Sequence, residues 1–337
     1  MRDCCSVNFS ARKIEVHDFL AAQELYFGNG WTDGLPIVPP TSALVARSLS
    51  FTQRKSDEII GRVPERRRAI TVEKVAINAV MAGCRPEYLP VVLAAVEASC
   101  SSESNPHGPT GSTGGAGLLL IVNGPPGRKL GFNSGGNVLG PGTRANATVG
   151  RALRLVLMNC AGSIPGQADR STLGHAGKYS WCIAEDESDA RWDPLHVTRG
   201  CLASQGAVTT FWGLATMQIS DHVNADPDAI LKSFASKFER AGLHEGKGCQ
   251  IVVIIAGEHR RTLADAGLGK DDVRSVLFKH RLDDTISRPE DILVVSAGGA
   301  GGRFSAISIS WGSRQRYLAV TRLVEECVSL DDRNERE

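Results

Sequence analysis

Apolar positions along the chain follow two spacings, and the elements they predict alternate. From Thr71, residues Val72, Val75, Ala76, Ala79 and Val80 recur every three or four positions, the period of one helix face. Thr71 is placed to cap this helix and Gly83 to close it. Pro86 suits the first turn of a second helix, which runs to about Cys100 and is apolar on nearly all sides, the pattern of a core element. Leu118 to Val122 (LLLIV) is an unbroken apolar run that reads as a buried strand. Lys178 to Glu185 predicts a short strand, with Lys178, Ser180 and Cys182 on one face and Tyr179, Trp181 and Ile183 on the other. From about Ser204 the order is strand (VTTFWG), helix (Pro227 to Gly242), strand (CQIVVIIAG), helix (Asp271 to Arg281) and strand (ILVVSAGG).

Strands alternating with helices predict an α/β fold, with mixed or parallel sheets flanked by helices in two connected α/β units. The expected divisions are an irregular N-terminal segment (1–60), a unit over 61–203 and a second unit over 204–337, each unit carrying a glycine-rich loop. Each half runs from helix to buried strand to glycine loop, as two similar units sharing a cleft would, without a letter-by-letter repeat. Within the first segment, GNGWTDGLPIVPPT (Gly28 to Thr41) is punctuated by Gly and Pro and reads as an ordered loop.

The stretch from Asn123 to Cys160 changes the picture most. The LLLIV strand enters a long run of Gly, Pro and Asn that then opens an amphipathic helix bearing Arg144, Arg151 and Arg154 near its start. Free backbone N–H groups, the positive end of a helix dipole and fixed guanidinium charge together predict an anion cradle. The loop is also longer than a connector needs to be. The second loop, SAGGAGGRFS (Ser296 to Ser305), follows a strand, but FSAISISW after it alternates like another strand, which argues against a dinucleotide site. GPPGRKLG lacks the residue order of a P-loop.

Charge and composition narrow the function classes. Across 337 residues, 38 Lys+Arg against 37 Asp+Glu leave a net charge of +1, and aromatics are 6%. The one tight basic run, Glu65 to Ala69, is short, so neither nucleic acid nor an anionic membrane is an expected partner. No apolar run nears the ~20 residues of a membrane span, and the N-terminus lacks the apolar region of a secretory signal. Nine scattered cysteines without a CxxC pair fit a reduced cytoplasm. A small-molecule substrate and a symmetric homo-oligomer are the expected partners.

Several residues are candidates for chemistry. Cys84, at the threshold of the second helix beside Arg85, is placed for a helix terminus to favour its thiolate. Cys182 lies among polar neighbours, and His196 downstream is a candidate imidazole partner. His222, after Asp221, is a candidate base or metal ligand. Lys74 and Asn78, one helical turn apart, are placed to orient a carbonyl or carboxylate. Arg144 and Arg151 are the expected substrate-binding forks. Asn133 and Asn146 read either as substrate contacts or as turn and helix-cap residues. Each cysteine and histidine has a plain structural reading beside the chemical one. A transition-metal ion held by Cys84, Cys182, His196, His222 and Glu185 or Asp221 is the alternative use of these groups, although no spacing motif supports it.

Three segments, GWTDGLPIVPPT, VEKVAINAVMAGCRPEYLPVVLAA and LGPGTRANATVGRALRLVLMN, together resemble a bacterial family associated with UGSC-type (seleno)proteins and thiol-disulfide oxidoreductases. The likeness extends from about Gly30 to Gly200 and more loosely to ILVVSAGGAGG. Residues in matching segments are Trp31, Asp33, Glu73, Lys74, Asn78, Cys84, Asn133, Arg144, Asn146, Arg151, Lys178, Cys182, Glu185 and His196. The chain has no Cys-Gly-Ser-Cys tetrad, so the paired thiols of a redox couple are not carried over. The leading expectation is an enzyme acting on a small anionic or carbonyl substrate through a cysteine thiolate, by addition, elimination or thiol redox. A metal-dependent hydrolase or lyase and a non-catalytic binding or assembly protein are the alternatives.

Overall fold

The computed structural model describes residues 9–238, 248–313 and 317–325. The first sixty residues, expected to be irregular, contain two helices. In α1 (Phe19–Gly28) the Asp18 carboxylate accepts the Ala21 N–H, and Thr41 caps α2 (Ser42–Leu49). The sequence FLAAQELYFG hides α1 because it is apolar on most sides and therefore shows no helical stripe. A hairpin follows, β1 (Ile59–Val63) with β2 (Arg68–Thr71).

The helix expected from Thr71 is α3 (Val72–Ala82), with the Thr71 hydroxyl accepting the Lys74 N–H and Gly83 ending it at φ 87°. A turn at Pro86–Tyr88 leads into α4 (Leu89–Ser99), buried almost throughout. Then come β3 (Gly117–Asn123), α5 (Pro125–Lys129), α6 (Arg144–Asn159), β4 (Cys182–Ala184) and α7 (Leu195–Thr198). The strand expected from Lys178 begins only at Cys182, because Lys178 and Ser180 are engaged off the sheet. Lys178 Nζ reaches the Asp169 carboxylate, and Ser180 Oγ donates to the Ala147 carbonyl on α6.

The second half contributes β5 (Ala207–Gly213), β6 (Met217–Ser220), α8 (Pro227–Ala235), β7 (Cys249–Ile255) and α9 (Gly257–Asp265). It ends with α10 (Lys270–Lys279), β8 (Ile292–Ser296), β9 (Phe304–Ser313) and β10 (Val320–Leu323). The helix expected over Pro227 to Gly242 ends sooner, at Ala235 with Ser236 as its C-cap, and residues 239–242 of that expectation lie outside the described residues.

The strands form two half-sheets of the same pattern. β3 is parallel to β4 and antiparallel to β5, while β7 is parallel to β8 and antiparallel to β9. Each half then borrows a strand: β10 pairs with β5, and β6 pairs with β9. The halves share one register pair, Gly213 with Ser310, completing a mixed sheet of eight strands. β5 follows residue 204 in the chain yet pairs with β3 along its whole length.

Alternate residues of each run face different cores. Leu118, Leu120 and Val122 pack with α3, α4 and α6, whereas Leu119 and Ile121 meet Val252, Ile254, Leu293 and Val295 of the other half. Ile251, Val253, Ile255, Ile292 and Val294 pack under α8, α9 and α10. The order is therefore helices, half-sheet, half-sheet, helices. Strands covered on both faces read as continuous apolar runs, which is why LLLIV and IVVII do not alternate. Among the described residues no helix is long and apolar enough to cross a membrane.

Candidate functional site

The two glycine loops meet where the parallel strand pairs end. Gly298 N donates to Ser134 O at 2.8 Å, and Gly136 and Gly299 pack closely enough that a Cβ on Gly299 would stand 3.4 Å from the Gly136 Cα. Backbone and side chains gathered at this junction do bind anions, but the anions are the protein's own. Glu187 Oε1 accepts Gly124 N (2.7 Å) and Asn123 Nδ2 (3.1 Å), and Arg128 pairs with its other oxygen. The buried Glu185 carboxylate accepts Lys270 Nζ, Ser296 N, Asn123 Nδ2 and Leu195 N. Asp186 accepts Arg260, which also reaches Ser296 Oγ. The Glu185 and Asp186 bonds to Lys270, Ser296 and Arg260 tie the two half-sheets together.

The expected substrate forks are likewise engaged with protein groups. Arg144 donates through Nε and Nη2 to Gly83 O at 3.0 and 2.9 Å, closing the carbonyl end of α3. Arg151 forms a two-pronged pair with Asp33, both bonds 2.8 Å, and adds the Leu35 and Pro36 carbonyls. Burial pushes the Asp33 carboxyl up, but the Arg151 guanidinium outweighs it and holds the group below the usual carboxylate range. Asn146 is not the cap of α6; that position is Thr143. Its amide instead pairs with both backbone groups of Asn133 and donates to Cys182 O. Asn133 in turn closes its own turn through Gly135 N and Gly136 O.

Cys84 and Cys182 lie in the apolar core beneath α3 and α6. Burial pushes the Cys84 thiol up to about 12, against the opposing pull of Thr148, Arg144 and Arg151. That is opposite to the lowering expected from a helix terminus, because desolvation of the thiolate dominates. Burial raises Cys182 as well, and Cys84 adds to the effect. No histidine is among the groups acting on either thiol. His196 is fully buried, with Nδ1 4.0 Å from Glu187 Oε1 and the Leu202 backbone, Glu185 and Lys270 also near. Burial lowers its pKa, against the opposing pull of Glu187 and Glu185. His222 is exposed and meets the Phe304 ring edge-on at 4.8 Å. Among the described residues no group of three or more His, Cys, Asp or Glu side chains is placed to hold a metal ion, so the expected ligand set is not gathered.

Lys74 and Asn78 have a different setting. They line a cavity of about 650 Å³ enclosed by residues 9–16, α1, the 31–42 segment, α3 and the end of α6. Trp31 and Pro39 to Thr41, then Lys74, Ile77, Asn78 and Met81, and finally Asn159 bring all three motif segments to this one space, and Cys160 lies on its floor. Glu73 holds one wall in place: its carboxylate accepts Ser10 N, Ser10 Oγ and Ala11 N at 3.0, 2.8 and 2.9 Å. The Gln23 amide fastens α1 to the next wall by pairing with both backbone groups of Ile37.

The floor is a directed network. Asn159 Nδ2 donates to Trp31 O (3.0 Å) and to Asn78 Oδ1 (2.7 Å). With its oxygen taken, Asn78 presents its amide hydrogens to Lys74 O (2.9 Å) and to Cys160 Sγ (3.5 Å). Burial pushes the Cys160 thiol up to about 11, while the Lys74 charge and the Asn78 bond pull it down. Of the thiols discussed, Cys160 alone combines a cavity wall, a nearby ammonium and a fixed N–H donor. Cys160 and Asn159 were not among the candidates read from the sequence. Asn159 ends a long amphipathic helix and Cys160 is its C-cap, so both look like a terminus, and nothing in their spacing ties them to Asn78, 81 positions away from Asn159. No family model, no curated protein and no solved structure matches this chain.

Proposed function

We propose that the protein is an enzyme for a small, largely apolar molecule with a carbonyl or carboxylate head, bound in the cavity under residues 9–16, and that Cys160 is the acting thiol. The supporting observation is the Asn159–Asn78–Cys160 network beside Lys74, at the floor of a cavity lined by the three motif segments. Tyr26, Trp31 and Val45 supply apolar wall for the body of the ligand, and Lys74 supplies charge for its head. With an electrophilic carbonyl, Cys160 Sγ forms a bond to carbon, the C=O π bond opens, and the thiol proton ends on the oxygen. Lys74 and the Asn78 amide then favour the charge that develops on oxygen and sulfur during the step. A reducing compartment, as expected for the cytoplasm, keeps such a thiol available.

Competitive alkylation tests this reading. With iodoacetamide at neutral pH, Cys160 is expected to react faster than Cys84 or Cys182, and aryl or alkyl aldehydes that raise the melting temperature are expected to protect it. Equal rates at the three positions, or protection without involvement of Cys160, would sink the thiol mechanism. Ligand-dependent stabilisation that survives Cys160→Ser would leave a binding cavity without thiol chemistry.

A further inference from the structure

The chain from Ser10 to Asp18 walls the cavity as a strap, fixed at both ends and free between them. At one end the Glu73 carboxylate accepts Ser10 N, Ser10 Oγ and Ala11 N. At the other the Asp18 side chain caps α1, which the Gln23 amide ties to Ile37. Among the described residues, Arg12 to His17 make no hydrogen bond, and all six are exposed. Lifting this stretch breaks no such bond, which places it at the low-stability end of the fold. Arg12, Lys13 and Glu15 nevertheless line the cavity together with Lys74, so the charged lining is three cations and one carboxylate. Among the described residues no carboxylate forms an ion pair with Arg12, Lys13 or Lys74.

These cations gather at one end of the space. Arg12 follows Ala11, whose N–H lies 2.9 Å from Glu73 Oε1, and Lys74 is the next residue of α3. Three cations against Glu15 leave an excess of two positive charges, one more than a monoanion answers. Beside the apolar walls of Tyr26, Trp31 and Met81, their field is focused on an anion entering the cavity. We propose that the polar end of the ligand is doubly negative, one anionic group meeting Lys74 and a second drawing Arg12 and Lys13 onto it, so that the strap closes over the bound molecule. The inference rests on the cavity being the ligand site proposed above, and not on the thiol chemistry. Charge-assisted bonds from Arg12 and Lys13 offset the cost of ordering the strap.

Calorimetric titration of the Cys160→Ser protein at about pH 8, where the probes are ionised, tests the proposal with no contribution from the thiol. The probes differ in their polar end: octanoate carries one charge, hexylmalonate paired carboxylates and octyl phosphate a phosphate. At least one doubly charged probe is expected to bind about tenfold or more tighter than octanoate, and the tighter of the two names the second group. Arg12→Gln with Lys13→Gln, at exposed positions without hydrogen bonds, is expected to keep octanoate binding and to lose that preference. The preferred probe should also slow tryptic cleavage after Arg12 and Lys13 more than octanoate does. Octanoate binding as tightly as either dianion overturns the proposal and leaves the cavity as a ligand site, as does a preference that survives in the double variant. Binding of none of the three sinks the cavity as the ligand site, and this proposal with it.

Discussion

The Asn78 side-chain amide lies 3.5 Å from Cys160 Sγ with its N–H₂ toward the sulfur, and Asn159 fixes that orientation by donating to Asn78 Oδ1 at 2.7 Å. A donor pointed at sulfur favours thiolate over thiol. Asn78→Asp places an acceptor and a negative charge there instead, so alkylation of Cys160 at neutral pH should fall about tenfold or more, the equivalent of about 1.4 kcal/mol. In the wild type the rate should climb with pH through the neutral range and level off only near pH 11. An Asn78→Asp rate equal to wild type would remove the network from the account, and a plateau near pH 8 would contradict the dominance of burial at Cys160.

Glu73 is buried at the start of α3, and its carboxylate accepts three hydrogen bonds from Ser10 and Ala11. Cutting this tie should free one wall of the cavity without disturbing the core. Arg12 and Lys13 are exposed immediately beyond it, so tryptic cleavage there reports the release. Glu73→Ala should speed that cleavage about tenfold or more, as expected when bonds to a charged group worth roughly 1.5–3 kcal/mol each are lost. Glu73→Gln, which retains an acceptor, should fall between the two. Cleavage at the wild-type rate in Glu73→Ala would show that other contacts hold residues 9–16.

The α/β class was legible in the sequence because long elements carry their own period or run length. α3, β3, β7 and β8 fall where the pattern put them. α1 was not legible, since FLAAQELYFG spreads its apolar residues around the helix and leaves no polar stripe to reveal it. The exchange of β6 and β10 between half-sheets was hidden too, because pairing partners leave no local mark. At the site, Lys74 and Asn78 were visible by their one-turn spacing, and the structure places both on the cavity. Cys84 and Cys182 drew notice through their charged neighbours in sequence, but those charges point elsewhere: Arg85 to Glu87, Lys178 to Asp169. Type and spacing identify groups that can ionise, whereas burial decides whether they do.

That burial has a pH signature. Cys84 is pushed up to about 12, and Cys100 and Cys160 to about 11, by desolvation. In the unfolded chain a thiol ionises near pH 8.5. Above that pH the unfolded state sheds protons that the folded state keeps, so stability is full below about pH 8.5 and falls as pH rises toward the folded values. Each such thiol contributes a slope of about 1.4 kcal/mol per pH unit in that window. Urea unfolding at a series of pH values from neutral to about 10 should show the decline. Cys84→Ala should be less stable at pH 7 yet lose less between neutral and alkaline pH. A profile equally steep with and without Cys84 would contradict its buried, neutral state.

Glu185 and Lys270 form a buried pair between the end of β4 and the start of α10, and they are not equals. Lys270 Nζ is one of four donors to Glu185; the others are Ser296 N, Leu195 N and Asn123 Nδ2. Removing the lysine leaves a carboxylate that still has three N–H partners. Removing the carboxylate leaves an ammonium and three further donors stranded at the junction of the half-sheets. Lys270→Met should therefore cost about 3 kcal/mol, toward the lower end for breaking a buried pair, and Glu185→Leu more than about 5 kcal/mol. For an isolated ion pair, the apolar double replacement would recover most of the loss. Here Glu185→Leu with Lys270→Met should recover only the ammonium's share, because Ser296, Leu195 and Asn123 still lack an acceptor. Urea unfolding of the two single variants and the double gives the comparison. Near wild-type stability in the double variant would mean that Glu185 serves Lys270 alone and that the half-sheets are joined by other contacts.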